Sequence, residues 1–337
     1  MFLRMMVMSI GILGCSILTN AQTGVSPNTF FDLLVEHDSV ELTLVIDPYL
    51  LQEKDNRDSI FTAQLTARSG GSSLYTSKVK VSPRGRFRLK ECDFPPLALD
   101  FPKSILGAWQ LATSDNYKLV THCNDPRDTN QTVCKEYLAY KLYSILTSKS
   151  FRTKWLTIHY IDEMSHPMLS ADAFLIESNE ELRHRLGGNW VDSDRVAVDS
   201  VDAYQFELAA LFQYMIGNRD MHLTSQHNVR LLRFDGERKF LPIPYDFDFS
   251  LFVMAPYAYP GLVNRNNVRR VYLGYARNEW VMPRVFSKFR AERNELIGLI
   301  EKELKLSERE RKDLVNYIDG FYDDLLKAEY QMNYRLE

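Results

Sequence analysis

The chain reads as an α+β protein of two lobes, a β-rich first half followed by a mainly helical second half. Three observations predict this. Residues 40–120 carry short apolar runs, some alternating, broken by turn residues. Residues 133–145 and 204–215 repeat apolar side chains at helical spacing. Two more helical stretches close the chain, and no repeat, low-complexity block or Pro/Gly/Ser-rich linker divides it. With 337 residues, 45% apolar and 25% charged, it has the length and composition for one compact unit with a large core.

In chain order, Val40 to Ile46 alternates in part and reads as a strand. Phe61 to Arg68 and Tyr75 to Val81 flank Gly70-Gly71, which predicts a hairpin. Phe94-Pro95-Pro96 interrupts regular structure before Leu97 to Phe101. Val133, Tyr137, Leu138, Leu142 and Ile145 mark one helical face, and strands are expected at 155–162 and 173–176. Tyr204, Leu208, Leu211, Phe212 and Met215 form a second stripe, with Asp199 or Ser200 as its cap and Gly217 as its stop. Val285 to Leu304 reads as a helix, and Ser307 with Glu310 as a capping box for the last one.

Forty-one basic against 44 acidic side chains give a net charge of −3, so nothing in the balance points to a nucleic-acid partner. The composition excludes a disordered chain, a collagen-like chain and a small disulfide scaffold. Residues 1–21 read as a signal peptide: Arg4, then the apolar run Met5 to Leu18, then Thr19-Asn20-Ala21 before a cut at Gln22. The expected location is the periplasm, cell envelope or medium. Ile12-Leu13-Gly14-Cys15 fits a lipoprotein site poorly, and no later run is long and apolar enough to span a membrane. Three cysteines remain after such a cut. Cys92–Cys123 and Cys123–Cys134 are both open as disulfides, as are three free thiols.

The densest chemistry lies between Gly217 and Asp248. It runs Gly217-Asn218-Arg219-Asp220-Met221-His222, His227-Asn228 and Tyr245-Asp246-Phe247-Asp248, with two short strands around Asp235-Gly236. A hairpin centred on residue 237 sets Asn228 opposite Asp246, where two oxygen ligands would share a hard cation such as Mg²⁺. Asp220 sits on the preceding loop. A loop carboxylate beside an Asn/Asp metal pair is the equipment of phosphoryl transfer. Singly, each of these residues would serve as a cap, a turn residue or a strand end. His222 and His227, five apart, read as packing or hydrogen-bonding residues before metal ligands.

The stretch GNRDMH…HN…PYDFD resembles the active-site segment of atypical kinases of the spore-coat CotH type, and more distantly the HipA and lipid-kinase-like groups. Residues 83–101, with the RGRF turn at Arg84 to Phe87, and 117–122 resemble the amino-terminal lobe of exported members. The resemblance implies a single kinase-like domain over 22–337, with an N-lobe of about 30–178 and a C-lobe of about 179–337. It assigns Asp220 as catalytic base, Asn228 and Asp246 as metal ligands and Asp248 as a second ligand. It also implies a hinge at Ile176-Glu177 that meets adenine. Asp220 and Asn228 are eight apart here and five apart in typical kinase loops, so Leu223 to Gln226 must bulge.

Such a lobe needs a strand cation for phosphates and a helical carboxylate to steady it. Lys118 and Glu136 fit those roles, and Arg84 and Arg86 flank Gly85 in a plausible phosphate-contacting turn. The chain has no GxGxxG loop, Walker sequence, G-x-S-x-G elbow or H-E-x-x-H. The expectation is a phosphotransferase using ATP and Mg²⁺ or Mn²⁺, acting on a hydroxyl of a protein or small molecule. The alternatives are an inactive kinase-fold binding module of the envelope and a metal-dependent hydrolase.

Overall fold

Seven strands close into a barrel in the order β1-β2-β3-β4-β5-β7-β6. They are β1 (Glu41–Val45), β2 (Phe61–Ser69), β3 (Ser72–Pro83), β4 (Leu97–Asp100), β5 (Asn116–Val120), β6 (Thr153–Ile161) and β7 (Pro167–Ile176). Neighbours run antiparallel except β1 and β6, whose parallel pairing closes the ring. This computed structural model describes residues 29–124, 127, 131–193, 195–275 and 280–336. The signal peptide read at 1–21 and Cys15 lie outside the described residues.

Period-two alternation fills the barrel. Leu42, Leu44, Leu65, Val79, Leu99, Leu119, Ile158 and Leu175 all point inward and are buried. Helix α1 (Phe30–Val35) plugs one end, with Phe30 lying 4.6 Å from the Phe101 ring and 5.1 Å from Tyr75. Short helices α2 (Pro48–Gln52), α3 (Arg88–Glu91) and α4 (Lys103–Ala108) decorate the connections. Gly70 and Gly71 both take positive φ in the β2–β3 turn, which is why that hairpin is tight.

The helical part has its own core. Helices α5 (Thr132–Leu146), α7 (Ala203–Ile216), α8 (Val281–Glu301) and α9 (Glu308–Leu336) bury one shared cluster. The outward side chains of two barrel strands join it: Val120 of β5, and Phe174 and Ile176 of β7. The end of β7 is therefore apolar on both faces. Helix α6 (Asn179–Leu186) and strand β8 (Asn189–Trp190) lead to α7, and β8 pairs with a hairpin of β9 (Val229–Arg233) and β10 (Leu241–Pro244). Among the described residues no helix is long and apolar enough to cross a membrane.

Helix α7 starts at Asp202, whose side chain accepts from Gln205 N at 2.8 Å, in place of the expected Asp199 or Ser200. It stops at Gly217, with φ of 66°. A Cβ there would lie 2.9 Å from Leu251 Cβ and closer still to the Tyr317 hydroxyl, so only glycine fits. Cys92 and Cys123 form a disulfide with Cα atoms 4.8 Å apart, and the buried Cys134 on α5 takes no part in it.

Candidate functional site

A cleft of about 560 Å³ lies where the outer face of the barrel meets the β9–β10 hairpin. Arg84 to Arg88, Lys118, Glu136 and Tyr140 line one side, and Asp220, His227, Asn228, Tyr245, Asp246 and Asp248 the other. The fold thus gathers Asp220, Asn228, Asp246, Asp248, Lys118, Glu136 and Arg86 around one space, although they are spread from residue 86 to 248. Glu177 is not among the lining residues. Its carboxylate is clamped by Arg152 and Arg185, with Nη2 of each 2.8 Å away.

The Asp220 loop is built by local hydrogen bonds. Asn218 is buried, and its Oδ1 accepts from Asp220 N at 3.0 Å. His222 and His227 exchange both main-chain bonds at 3.0 Å, closing Leu223 to Gln226 into a small turn. This turn absorbs the extra residues and returns Asn228 to Asp220. Asn228 Nδ2 donates to Asp220 Oδ2 at 2.9 Å and to its carbonyl at 2.8 Å. His227 Nε2 lies 3.0 Å from the other carboxylate oxygen. Both oxygens of Asp220 are thereby held in one orientation.

The hairpin register differs from the expected one by a residue. Pro244 pairs with Val229, so Asn228 faces Tyr245, whose N–H donates to the Asn228 carbonyl at 3.0 Å. The Phe234–Glu237 turn sets this register through a bond from Glu237 N to Phe234 O. Asp246 lies one position beyond. It enters the cleft because Asn228 and Asp246 both adopt left-handed backbone, with φ of 53° and 65°, which breaks the pleat at the mouth of the hairpin. Tyr140 Oη accepts from Asp246 N at 2.9 Å and fixes that bend.

Glu136, Asp246 and Asp248 crowd one another. Burial, then Asp246, pushes the Glu136 carboxyl up, while Arg88 and Arg84 oppose the shift. Burial, then Asp246 and Glu136, raises Asp248 well above the carboxylate range, against Arg88 and a 2.8 Å bond from the Tyr257 hydroxyl. Negative charge in excess of its partners is what a divalent cation relieves. The donors are all oxygen, since the Asn228 amide nitrogen is committed to Asp220 and leaves its carbonyl oxygen. These residues fit Mg²⁺ or Mn²⁺. Among the described residues no group of three or more His, Cys, Asp or Glu is drawn together tightly enough for a metal.

Sequence reasoning paired Lys118 with Glu136. The ion partner of Glu136 is instead Arg88, with Nη1 4.0 Å from Oε2. Lys118 projects from β5 between inward Tyr117 and Leu119, and its Nζ sits 4.8 Å above the Tyr245 ring. Burial, then Arg84, pulls its pKa down to about 8, with Asp246 opposing. Arg88 went unnoticed because it follows the RGRF turn in a run of basic residues that reads as solvated surface. The sequence carries no mark of its burial. Tyr140 and Tyr257 carry no such mark either, and Tyr245, visible only as part of the YDFD run, gives no sign of its contact with Lys118.

No protein-family model matches the chain, and no curated protein matches it. Solved structures do. The chain is similar to a Helicobacter pylori proinflammatory kinase, CtkA, at 11% identity over 72% of this chain and 95% of that one, with a TM-score of 0.43. It is also similar to the Golgi casein kinase, at 8% identity over 69% and 70% with a TM-score of 0.37, and to the same kinase with Mn/ADP bound, at a TM-score of 0.35. At such distances the chemistry has to be read from the cleft's own residues.

Proposed function

We propose that this chain is an exported atypical kinase that binds ATP with Mg²⁺ or Mn²⁺ and transfers the γ-phosphoryl group to a hydroxyl of a protein or small molecule. The observation that carries this reading is the Asp220–Asn228 pair, held at 2.9 Å in the same cleft as Asp246, Asp248 and the basic Arg84–Arg88 turn. Asp220 orients the acceptor hydroxyl and takes its proton, with His227 and Asn228 fixing its carboxylate. Asn228, Asp246 and Asp248 would hold the cation, which screens phosphate charge. Arg84, Arg86 and Lys118 supply the positive wall. The Cys92–Cys123 disulfide supports an oxidising compartment and hence the export read at residues 1–21.

The test is thermal unfolding of residues 22–337 with and without ATP and Mg²⁺ or Mn²⁺, beside Asp246→Ala. A ligand at 100 times its Kd adds roughly 2.7 kcal/mol. A metal-dependent rise in wild type that disappears in Asp246→Ala supports the reading. No rise at millimolar nucleotide with either metal removes it and favours an inactive binding module. Metal-dependent turnover without nucleotide favours a hydrolase.

A further inference from the structure

We propose that Arg88, rather than Lys118, is the principal anion-holding group of the cleft, with Glu136 set beside it as its acidic neighbour. This deepens the nucleotide reading and rests on it. Arg88 sits on the one-turn helix α3 and lines the cleft, although its side chain is only 9% exposed. A buried guanidinium needs partners, and its donors are unevenly used. Nη2 donates to the Thr121 carbonyl at 2.7 Å and to the His122 carbonyl at 3.5 Å. Nη1 faces Glu136 at 4.0 Å, which is an ion pair too long for a hydrogen bond. Nε is buried with no hydrogen-bond partner. Its guanidinium also lies 5.5 Å from the Tyr257 ring, whose hydroxyl is bonded to Asp248. Nε is sealed from the cleft, so Nη1 is the donor that a fixed cation, set against the acids proposed to hold metal, can offer to an incoming anion.

Three features hold it there. Phe87 packs edge-on against Phe249 at 4.9 Å. The Cys92–Cys123 disulfide ties the end of α3 to the strand exit after β5. Phe94 N donates to Cys123 O at 2.8 Å beside it. Lys118, by contrast, rests on the Tyr245 ring and makes no ion pair with Glu136. A guanidinium locked by its other nitrogens presents Nη1 in one fixed direction, which a flexible ammonium does not.

Calorimetric affinities for Mg-ATP, adenosine and inorganic tripolyphosphate test this in wild type, Arg88→Met, Arg88→Lys and Lys118→Met. Loss of charge-assisted hydrogen bonds in Arg88→Met weakens Mg-ATP and tripolyphosphate by roughly ten- to a hundredfold. Adenosine affinity stays, Arg88→Lys recovers part of the loss, and Lys118→Met shows a smaller loss than Arg88→Met. If Arg88→Met fails to fold, Arg88→Lys and Lys118→Met carry the comparison. A larger loss in Lys118→Met than in either Arg88 variant overturns the assignment while leaving the nucleotide reading in place. Wild type that binds tripolyphosphate through Arg88 but neither ATP nor adenosine keeps the anion site and removes the nucleotide. Wild type that binds none of the three overturns both.

Discussion

The side-chain amide of Asn228 donates twice to Asp220, to Oδ2 at 2.9 Å and to the carbonyl at 2.8 Å. The amide oxygen is therefore turned away from Asp220. Two separable jobs follow for one residue: orienting the carboxylate and offering an oxygen to a cation. Asn228→Asp keeps an oxygen ligand but sets a carboxylate against Asp220. Retained Mn²⁺-dependent ATP binding with turnover reduced at least about tenfold is expected. Binding by thermal shift and single-turnover phosphoryl transfer separate the two effects. Equal loss of both would show that the two jobs are not separable.

Gly217 and Gly236 both have positive φ, 66° and 82°, yet differ in surroundings. At Gly236 an added Cβ meets nothing within 4 Å, so Gly236→Ala should cost about 1 kcal/mol of backbone strain. At Gly217 the same methyl collides with Leu251 and Tyr317, adding an overpacking cost of about 1–3 kcal/mol. Urea midpoints of the two variants measure the difference.

The acidic cluster predicts a pH dependence. Glu136 is raised in the folded state from 4.5 to about 8, so the folded state holds a proton that the unfolded chain releases. Stability of the metal-free protein should fall as pH rises from about 4.5 to about 8. Glu136→Gln reduces that slope and leaves the part that the raised Asp248 carboxyl contributes, and added Mn²⁺ reduces it further. Denaturant midpoints across this window check the sign. A wild type that gains stability over the window would contradict the burial argument.

The disulfide closes a loop across a sequence separation of 31. Chain entropy alone assigns such a link about 3–4 kcal/mol. Reduction, or Cys92→Ser, should lower Tm and also weaken tripolyphosphate binding, because the link holds the segment that carries Arg88. Nucleotide-free unfolding and tripolyphosphate titration read the two consequences independently.

What could be read in advance followed local rules. Gly70-Gly71 fixed a hairpin, the α7 stripe ended at Gly217, and Ser307 Oγ accepts from Glu310 N at 3.2 Å as half a capping box. The other half is absent because the Glu310 carboxylate is taken by Lys135 and Arg265. What could not be read is non-local. The parallel β1–β6 pair that closes the barrel joins residues more than a hundred positions apart, and nothing within either strand announces it. Strand β7 begins at Pro167, earlier than its apolar end suggests, because its first residues are solvated on one face. Asn228 and Asp246 could be named from spacing, but a one-residue change in register and two left-handed residues decide how they meet. The Arg88–Glu136 pair depends on how α3 is tethered, which no window of sequence contains.

Glu177 follows directly on the end of β7, the crossing point from barrel to helices. Its side chain is fully buried, and Arg152 of the barrel side and Arg185 of α6 both hold it at 2.8 Å. Separating those partners would strand a buried charge, at a cost of about 3–5 kcal/mol. The crossing is accordingly a rivet and not a pivot. Rotating the barrel against the helices at this point would meet that penalty on every cycle, so the two walls of the cleft keep their spacing.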